Sequence, residues 1–351
     1  MPAQRQDRIF ITGATGFLGS YVLRYLVRQG YSNITALKRE RSRMNLVEPI
    51  QDKVNWVNGD VLDIPLLYDM CKDHDIVIHV AGLVSFDPRD FIKLMQVNFE
   101  GTRNIVNACL EGNVKRLLHT SSTSAVGIPK IQRILDEKVP WSQDGHTSFY
   151  SISKYQAEME VWRGMEEGLN AVIVNPPIML GSGFWNEGTC KIFQQVYKGL
   201  KYFPVGKNSF TDVRDVARYI VGLLNTDISS ERILLCGENM TYKDLLTQMA
   251  NALGKKPPHL PFGKFIRETL WRLEALRTSF FGGTPLLTRK TVHSSASDQE
   301  WDNSKSLKLM PGFSYTSLKN VIQEACEGML RDKEKSVPGS YLEFDVKKNE
   351  W

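Results

Sequence analysis

The chain has 351 residues, 42% of them apolar and 24% charged, which excludes a disordered chain, a collagen and a disulfide miniprotein and leaves room for roughly two domains. Its 44 basic and 39 acidic residues leave a net charge of +5, spread along the chain and too small for a nucleic-acid footprint. No apolar run approaches the ~18 residues of a membrane span, and the segment before Arg8 lacks a signal-peptide core. Five scattered cysteines without a CxxC (Cys71, Cys109, Cys190, Cys236, Cys326) fit free thiols in a reducing, cytoplasmic setting. The histidines form no cluster with ligand spacing, so no metal is expected.

Residues 8–12 read as a strand. Residues 16–29 read as a helix, because Phe17, Tyr21, Val22, Tyr25 and Leu26 recur at helical spacing. Strands follow at 34–37, 54–57 and 75–80, then a helix over 91–112. A fifth strand at 116–121 precedes a helix over 149–168, and a sixth strand lies at 171–174. This alternation predicts an α/β protein, a Rossmann-like doubly wound parallel sheet covered on both faces. Glycine and proline break the pattern from Pro177 to Gly206. A helix near 213–225 and a strand at 233–236 predict that the chain returns to the first domain at about 210–238. The expected organisation is a dinucleotide-binding domain over 1–177 with that return, a smaller and mostly helical substrate lobe over 178–209 and 239–330, and a charged surface tail over 331–351. In the lobe, residues 263–281 pattern as an amphipathic helix (Phe265, Leu270, Trp271, Leu273, Leu276, Phe280), either packing for the lobe's own core or a roof over an apolar substrate.

Between the first strand and the first helix lies Thr12-Gly13-Ala14-Thr15-Gly16-Phe17-Leu18-Gly19. Gly13 permits a tight turn, Gly16 lets a pyrophosphate approach the backbone, and Gly19 lets the helix pack close to the sheet. The helix N-terminus then offers its N–H groups to phosphates, with Thr15, Phe17 and Leu18 in the same turn. About 20 residues further on, where an acidic residue would hold a ribose 2′-hydroxyl, stands Arg39, flanked by Lys38 and followed by Arg41 and Arg43. A guanidinium grips a 2′-phosphate that a carboxylate repels, so NADP(H) is expected over NAD(H); a solvated basic loop containing Glu40 is the bland alternative. Asp60, with Val61, follows the third strand and serves either an adenine amino group or a strand-end turn. Ala81 and Gly82 follow the fourth strand, where small residues let backbone lie against the nicotinamide-side ribose. Pro177, after the sixth strand, completes the expected coenzyme set.

Tyr150 and Lys154 stand at i and i+4 on one helix face. A phenol near its ordinary pKa of ~10 is a poor acid–base group at neutral pH, and a neighbouring ammonium and a nicotinamide cation both favour its phenolate. The spacing alone is weak, since it also occurs at Tyr68/Lys72, Tyr197/Lys201 and Tyr315/Lys319. Tyr150 alone opens a helix after the fifth strand, downstream of the hydroxyl cluster Thr120-Ser121-Ser122-Thr123-Ser124, at a strand end facing the expected crevice. Ser122 is the choice to hold a substrate oxygen near Tyr150, with Ser121, Thr123 and Ser124 as rivals.

Taken together, TGATGFLG at 12–19, GDVLD at 59–63, HVAG at 79–82, VNFEGT at 97–102, TSSTSAVG at 120–127, YSISK at 150–154, NPPIMLG at 175–181 and DVRDVA at 212–217 resemble the extended short-chain dehydrogenase/reductase family over roughly residues 8–330. The resemblance implies a Rossmann-like sheet, a C-terminal substrate lobe and a Ser–Tyr–Lys site in which Ser122, Tyr150 and Lys154 match the family's catalytic residues. Asn98 matches a family asparagine and equally suits a helix start. It also implies a homodimer through the helices at 91–112 and 149–168. Dehydratases of the family carry an Asp-Glu pair where this chain has Thr123-Ser124. Many sugar-nucleotide epimerases carry a diphosphate-gripping arginine where it has Asn208-Ser209, and Tyr-Gly where it has Val126-Gly127. The chain looks closer to dihydroflavonol-4-reductase-like and 3β-hydroxysteroid-dehydrogenase-like members. The expected function is NADP(H)-dependent reduction of a ketone or aldehyde of a small apolar substrate. A nucleotide-sugar epimerase with retained NAD(P) and a non-catalytic NAD(P) sensor are the alternatives.

Overall fold

The computed structural model describes residues 2–128, 134–143, 147–263 and 295–335. The chain opens with β1 (Ile9–Thr12), α1 (Phe17–Arg28), β2 (Ile34–Lys38), β3 (Asn55–Asn58), α2 (Ile64–Lys72) and β4 (Ile76–His79). It continues with α3 (Phe91–Leu94), a π-turn over Met95–Glu100, α4 (Gly101–Glu111), β5 (Arg116–Thr120), the short β6 (Ile134–Leu135), α5 (Phe149–Glu166) and β7 (Ala171–Asn175). The remaining elements include β8 (Ile178–Leu180), α6 (Lys191–Tyr197), β9 (Tyr202–Phe203), β10 (Lys207–Asp212), α7 (Val213–Leu223), β11 (Glu231–Leu234), β12 (Glu238–Thr241), α8 (Tyr242–Ala252), α9 (Ser304–Leu309) and α10 (Leu318–Lys335).

Seven strands form one sheet in the order β3-β2-β1-β4-β5-β7-β11, with every neighbouring pair parallel. The expected doubly wound sheet is therefore present. The central strands are buried along their whole length, which is why they read as unbroken apolar runs. Ile9, Ile11 and Ile78 pack with Val22 and Leu26 of α1 and Val216 and Ile220 of α7 on one face. Phe10, Val77 and Leu117 pack with Leu67 of α2, Ile105 of α4 and Val161 of α5 on the other. The order reverses between β1 and β4, and the crevice outside their carboxyl ends is where such sheets bind ligands. Asp63, Ser148, Asp212 and Thr241 cap α2, α5, α7 and α8 by accepting from backbone N–H groups.

Four features differ from the sequence reading. The helix expected over 91–112 contains the π-turn, which carries buried Asn98. The irregular stretch after Pro177 holds a second sheet, β12-β10-β8, so residues 207–212 pair in the lobe before α7 and β11 rejoin the large sheet. Met310 and Phe313, expected in the lobe, join the first core, with Phe313 edge-on to Tyr219 at 5.0 Å and Ser306 O accepting from Tyr219 Oη. The expected tail begins inside α10, and Asp332 there is buried and accepts from Trp185 Nε1 at 2.6 Å. The amphipathic helix expected over 263–281 lies, past Gly263, outside the described residues. Among the described residues, no helix is long and apolar enough to cross a membrane.

Candidate active site

The turn between β1 and α1 is built by glycines for separate reasons. Gly13 has φ +73°, and a Cβ there would lie 2.5 Å from Ala81 N. A Cβ on Gly19 would lie 2.1 Å from the Gly13 carbonyl oxygen, so both positions are forced by the protein itself. Gly16 is different: a Cβ would meet only the Gly13 oxygen, at 3.2 Å. Gly16 starts α1 without a side-chain cap, and no acidic residue sits in the first turn. The protein therefore leaves room and bare N–H groups where an anion would rest, as a dinucleotide pyrophosphate requires.

A cavity of about 1140 Å³ runs from this turn to the helix carrying Tyr150. Gly13, Thr15, Gly16, Phe17, Leu18, Gly19, Lys38, Arg39, Asp60, Val61, Ala81, Gly82, Ser122, Tyr150, Lys154 and Pro177 all line it. Arg43 does not: it pairs with Glu187 and lies 3.8 Å over the Phe184 ring. Its partner is 144 residues away in sequence, which no local pattern reveals. Arg39 is exposed at the end of β2 with no described partner for its guanidinium, while Lys38 Nζ donates to Asn58 Oδ1 at 2.7 Å. Asp60 serves its turn, accepting from Leu62 N at 3.1 Å, and still faces the cavity.

The hydroxyls after β5 have distinct partners. Ser122 is extended, caps the short turn Thr123–Ala125 by accepting from Ser124 N at 3.1 Å, and hydrogen-bonds Tyr150. Ser121 Oγ instead donates to buried Glu158 at 2.7 Å. Burial pushes the Tyr150 phenol above its ordinary value, and the Ser122 hydrogen bond pulls it down. In the protein alone, burial outweighs the Ser122 hydrogen bond in setting the direction for Tyr150. Lys154 is buried, its Nζ donates to Thr120 O at 2.8 Å, and desolvation lowers its ammonium to about 8 against an upward pull from Glu158. A Cβ on Gly82 would lie 3.4 Å from Asn98 Oδ1 and 3.8 Å from Lys154 Nζ, so the three meet at one point. Asn98 spends its amide on both backbone groups of Leu83 and on Ser153 Oγ. Beneath lie His79 and His119, stacked at 5.3 Å, with His79 driven to about 3 by burial and so neutral. The rival pairs lie off the cavity: Tyr197 sits under the Lys255 and Lys333 ammoniums, and Tyr315 Oη pairs with Ser306 Oγ.

The sequence reading did not single out Phe86, whose ring meets Tyr150 edge-on at 5.7 Å, nor the cavity wall residues Ile128, Trp141, Phe210, Tyr242 and Trp301. Asn208 in that wall accepts from Trp301 Nε1 at 3.1 Å and from Ser209 N at 2.8 Å. Among the described residues, the charged groups lining the cavity are Lys38, Arg39, Asp60, Lys93 and Lys154.

A family model described as the NAD dependent epimerase/dehydratase family matches residues 9–237. A Synechocystis sp. protein provisionally named dihydroflavonol 4-reductase is 28% identical over 330 residues, covering 91% of this chain and 93% of its own. Cinnamoyl-CoA reductase 1 of Petunia hybrida is 26% identical over 250 residues, covering 67% of this chain and 74% of its own. The crystal structure of gox2253 superposes with a TM-score of 0.79 at 27% identity, over 93% of this chain and 98% of that one.

Proposed function

The chain belongs to the NAD-dependent epimerase/dehydratase family, and from that premise we propose that it is an NADP(H)-dependent reductase of a ketone or aldehyde on a small, largely apolar molecule. The observation that carries this reading is one cavity that joins the glycine turn and Arg39 to Ser122, Tyr150 and Lys154, with Phe86, Trp141, Phe210, Tyr242 and Trp301 also in its lining. The coenzyme, when bound, supplies or accepts the hydride. Gly13, Gly16 and the start of α1 would hold its pyrophosphate, Arg39 and Lys38 would hold a 2′-phosphate, and Lys154 would hold its ribose hydroxyls. Ser122 and Tyr150 hold the substrate oxygen between their hydroxyls. Tyr150 keeps its proton at neutral pH, because burial raises its pKa, and is therefore the donor to that oxygen in the reducing direction. Lys154 places its charge one helical turn away, where it steadies negative charge developing on the phenol oxygen. The neutral amide of Asn208 gives a diphosphate no cation to hold, which favours a reductase over a nucleotide-sugar epimerase.

The test is to mix purified protein with NADPH and a panel of aromatic and aliphatic ketones and aldehydes and follow coenzyme oxidation, with UDP-sugar interconversion assayed in parallel. Carbonyl-dependent oxidation is expected; epimerisation without net NADPH loss would replace this reading with the epimerase. The same reading includes a homodimer through α4 and α5, so light scattering should give twice the chain mass.

A further inference from the structure

One helical turn beyond Lys154 stands Glu158, fully buried, a residue outside the Ser–Tyr–Lys set. The spacing puts Tyr150, Lys154 and Glu158 in a row along one face of α5. Glu158 Oε2 accepts from Ser121 Oγ at 2.7 Å and from Asn175 Nδ2 at 2.9 Å, and Oε1 accepts from Arg232 Nε. The same Asn175 amide donates to the Ser122 carbonyl at 2.9 Å. A carboxylate removed from water costs several kcal/mol unless it is paired and hydrogen-bonded. Here the donors come from the ends of β5 and β7 and from β11, so one side chain ties the strand end bearing Ser122 to the helix bearing Tyr150.

We propose that Glu158 is a positioning residue: through Ser121 and Asn175 it clamps the strand end that presents Ser122, and it supplies the counter-charge for buried Lys154. Its consequence for turnover rests on the reductase reading, whereas its effect on Lys154 does not. The titratable groups that act on or feel Lys154 are Glu158 on α5, His79 on β4 and His119 on β5, both histidines kept neutral by burial. Arg232 on β11 stands behind Glu158 and also donates to the Glu137 carbonyl at 3.1 Å. A purely architectural role would make Glu158 only the anchor of that arginine.

The experiment is an NMR titration of lysine ¹³Cε signals in the full chain, with Lys154 assigned by its loss in Lys154→Arg. Glu158→Gln should lower the Lys154 midpoint by at least one pH unit, and Glu158→Asp should restore most of it. Arg232→Gln breaks the anchor but leaves the carboxylate; its Lys154 midpoint should rise. An unchanged midpoint in Glu158→Gln overturns the proposal, whatever happens to its thermal stability. Should that variant not fold, a midpoint in Arg232→Gln that is unchanged or lower overturns it. Neither coenzyme nor carbonyl is needed, so a parent protein without turnover refutes the reductase reading alone. In an active protein, the pH profile of reduction should move with the Lys154 midpoint.

Discussion

At the scale of single residues, the site sets two buried polar groups against their surroundings. Tyr150→Phe removes the proposed proton donor while leaving the ring against Phe86, so turnover should fall by about 10²–10⁴. NADPH affinity, read by fluorescence titration, should stay within about threefold. Lys154 makes a different prediction. Its ammonium is moved from 10.5 to about 8 by burial, a cost to the fold of about 3 kcal/mol, as an order of magnitude, while both states are protonated. Below pH 8 that cost is constant. Between 8 and 10.5 the unfolded chain holds the extra proton, so this group makes stability rise with pH. Lys154→Met should therefore unfold at higher urea than the parent at pH 7, with the gap closing toward pH 10, while losing activity. The sequence made Tyr150, Lys154 and Ser122 legible because one helix and one strand end carry them at fixed spacing. It hid Glu158, whose meaning comes from Asn175 and Arg232, and it hid the pairing of Arg43 with Glu187, which comes from a distant loop.

At the scale of elements, the β1–α1 turn separates a folding requirement from a binding one. Gly19→Ala puts a methyl 2.1 Å from a backbone oxygen and should lower the melting temperature by several degrees. Gly16→Ala meets only a 3.2 Å contact and should fold nearly as well, yet weaken NADPH at least tenfold by filling the approach to the α1 N-terminus. Differential scanning fluorimetry with and without NADPH separates the two, and equal behaviour of the variants would refute the distinction. Arg39→Ala should weaken NADPH by about 10-fold or more and leave NADH nearly unchanged, since only the 2′-phosphate calls for the guanidinium. The large sheet was legible because its strands are buried on both faces and alternate with amphipathic helices. The second sheet was not, because β8 spans three residues and β10 (KNSFTD) is mostly polar, so neither leaves a period to read.

At the scale of the molecule, the segment around Ser182 to Glu187 joins the β1–α1 turn to the end of the described chain. On one side Tyr21 Oη of α1 donates to Ser182 O at 2.7 Å, a Cβ on Gly183 would crowd the Phe17 ring at 2.7 Å, and Glu187 pairs with Arg43. On the other side Trp185 Nε1 donates to Asp332 of α10, and Gly328 of α10 packs so closely on Ser182 that a Cβ would come within 2.6 Å of its hydroxyl. Leu318, Val321, Ile322, Cys326 and Met329 meanwhile fill the lobe core with Phe193, Phe210 and Leu246. Helix α10 thus braces both the lobe and the loop behind the β1–α1 turn. Asp332→Ala removes the buried acceptor of Trp185 and should cost about 1–3 kcal/mol of stability. Because the loosened loop also touches α1, NADPH should bind several-fold more weakly, although Asp332 lies outside the cavity. The coupling is reciprocal, since anything that binds only the ordered loop stabilises it. Adding NADPH to the parent protein should therefore slow amide hydrogen exchange in α10 as well as in α1. Protection confined to α1 would mean that the loop transmits nothing, and that α10 serves the lobe alone.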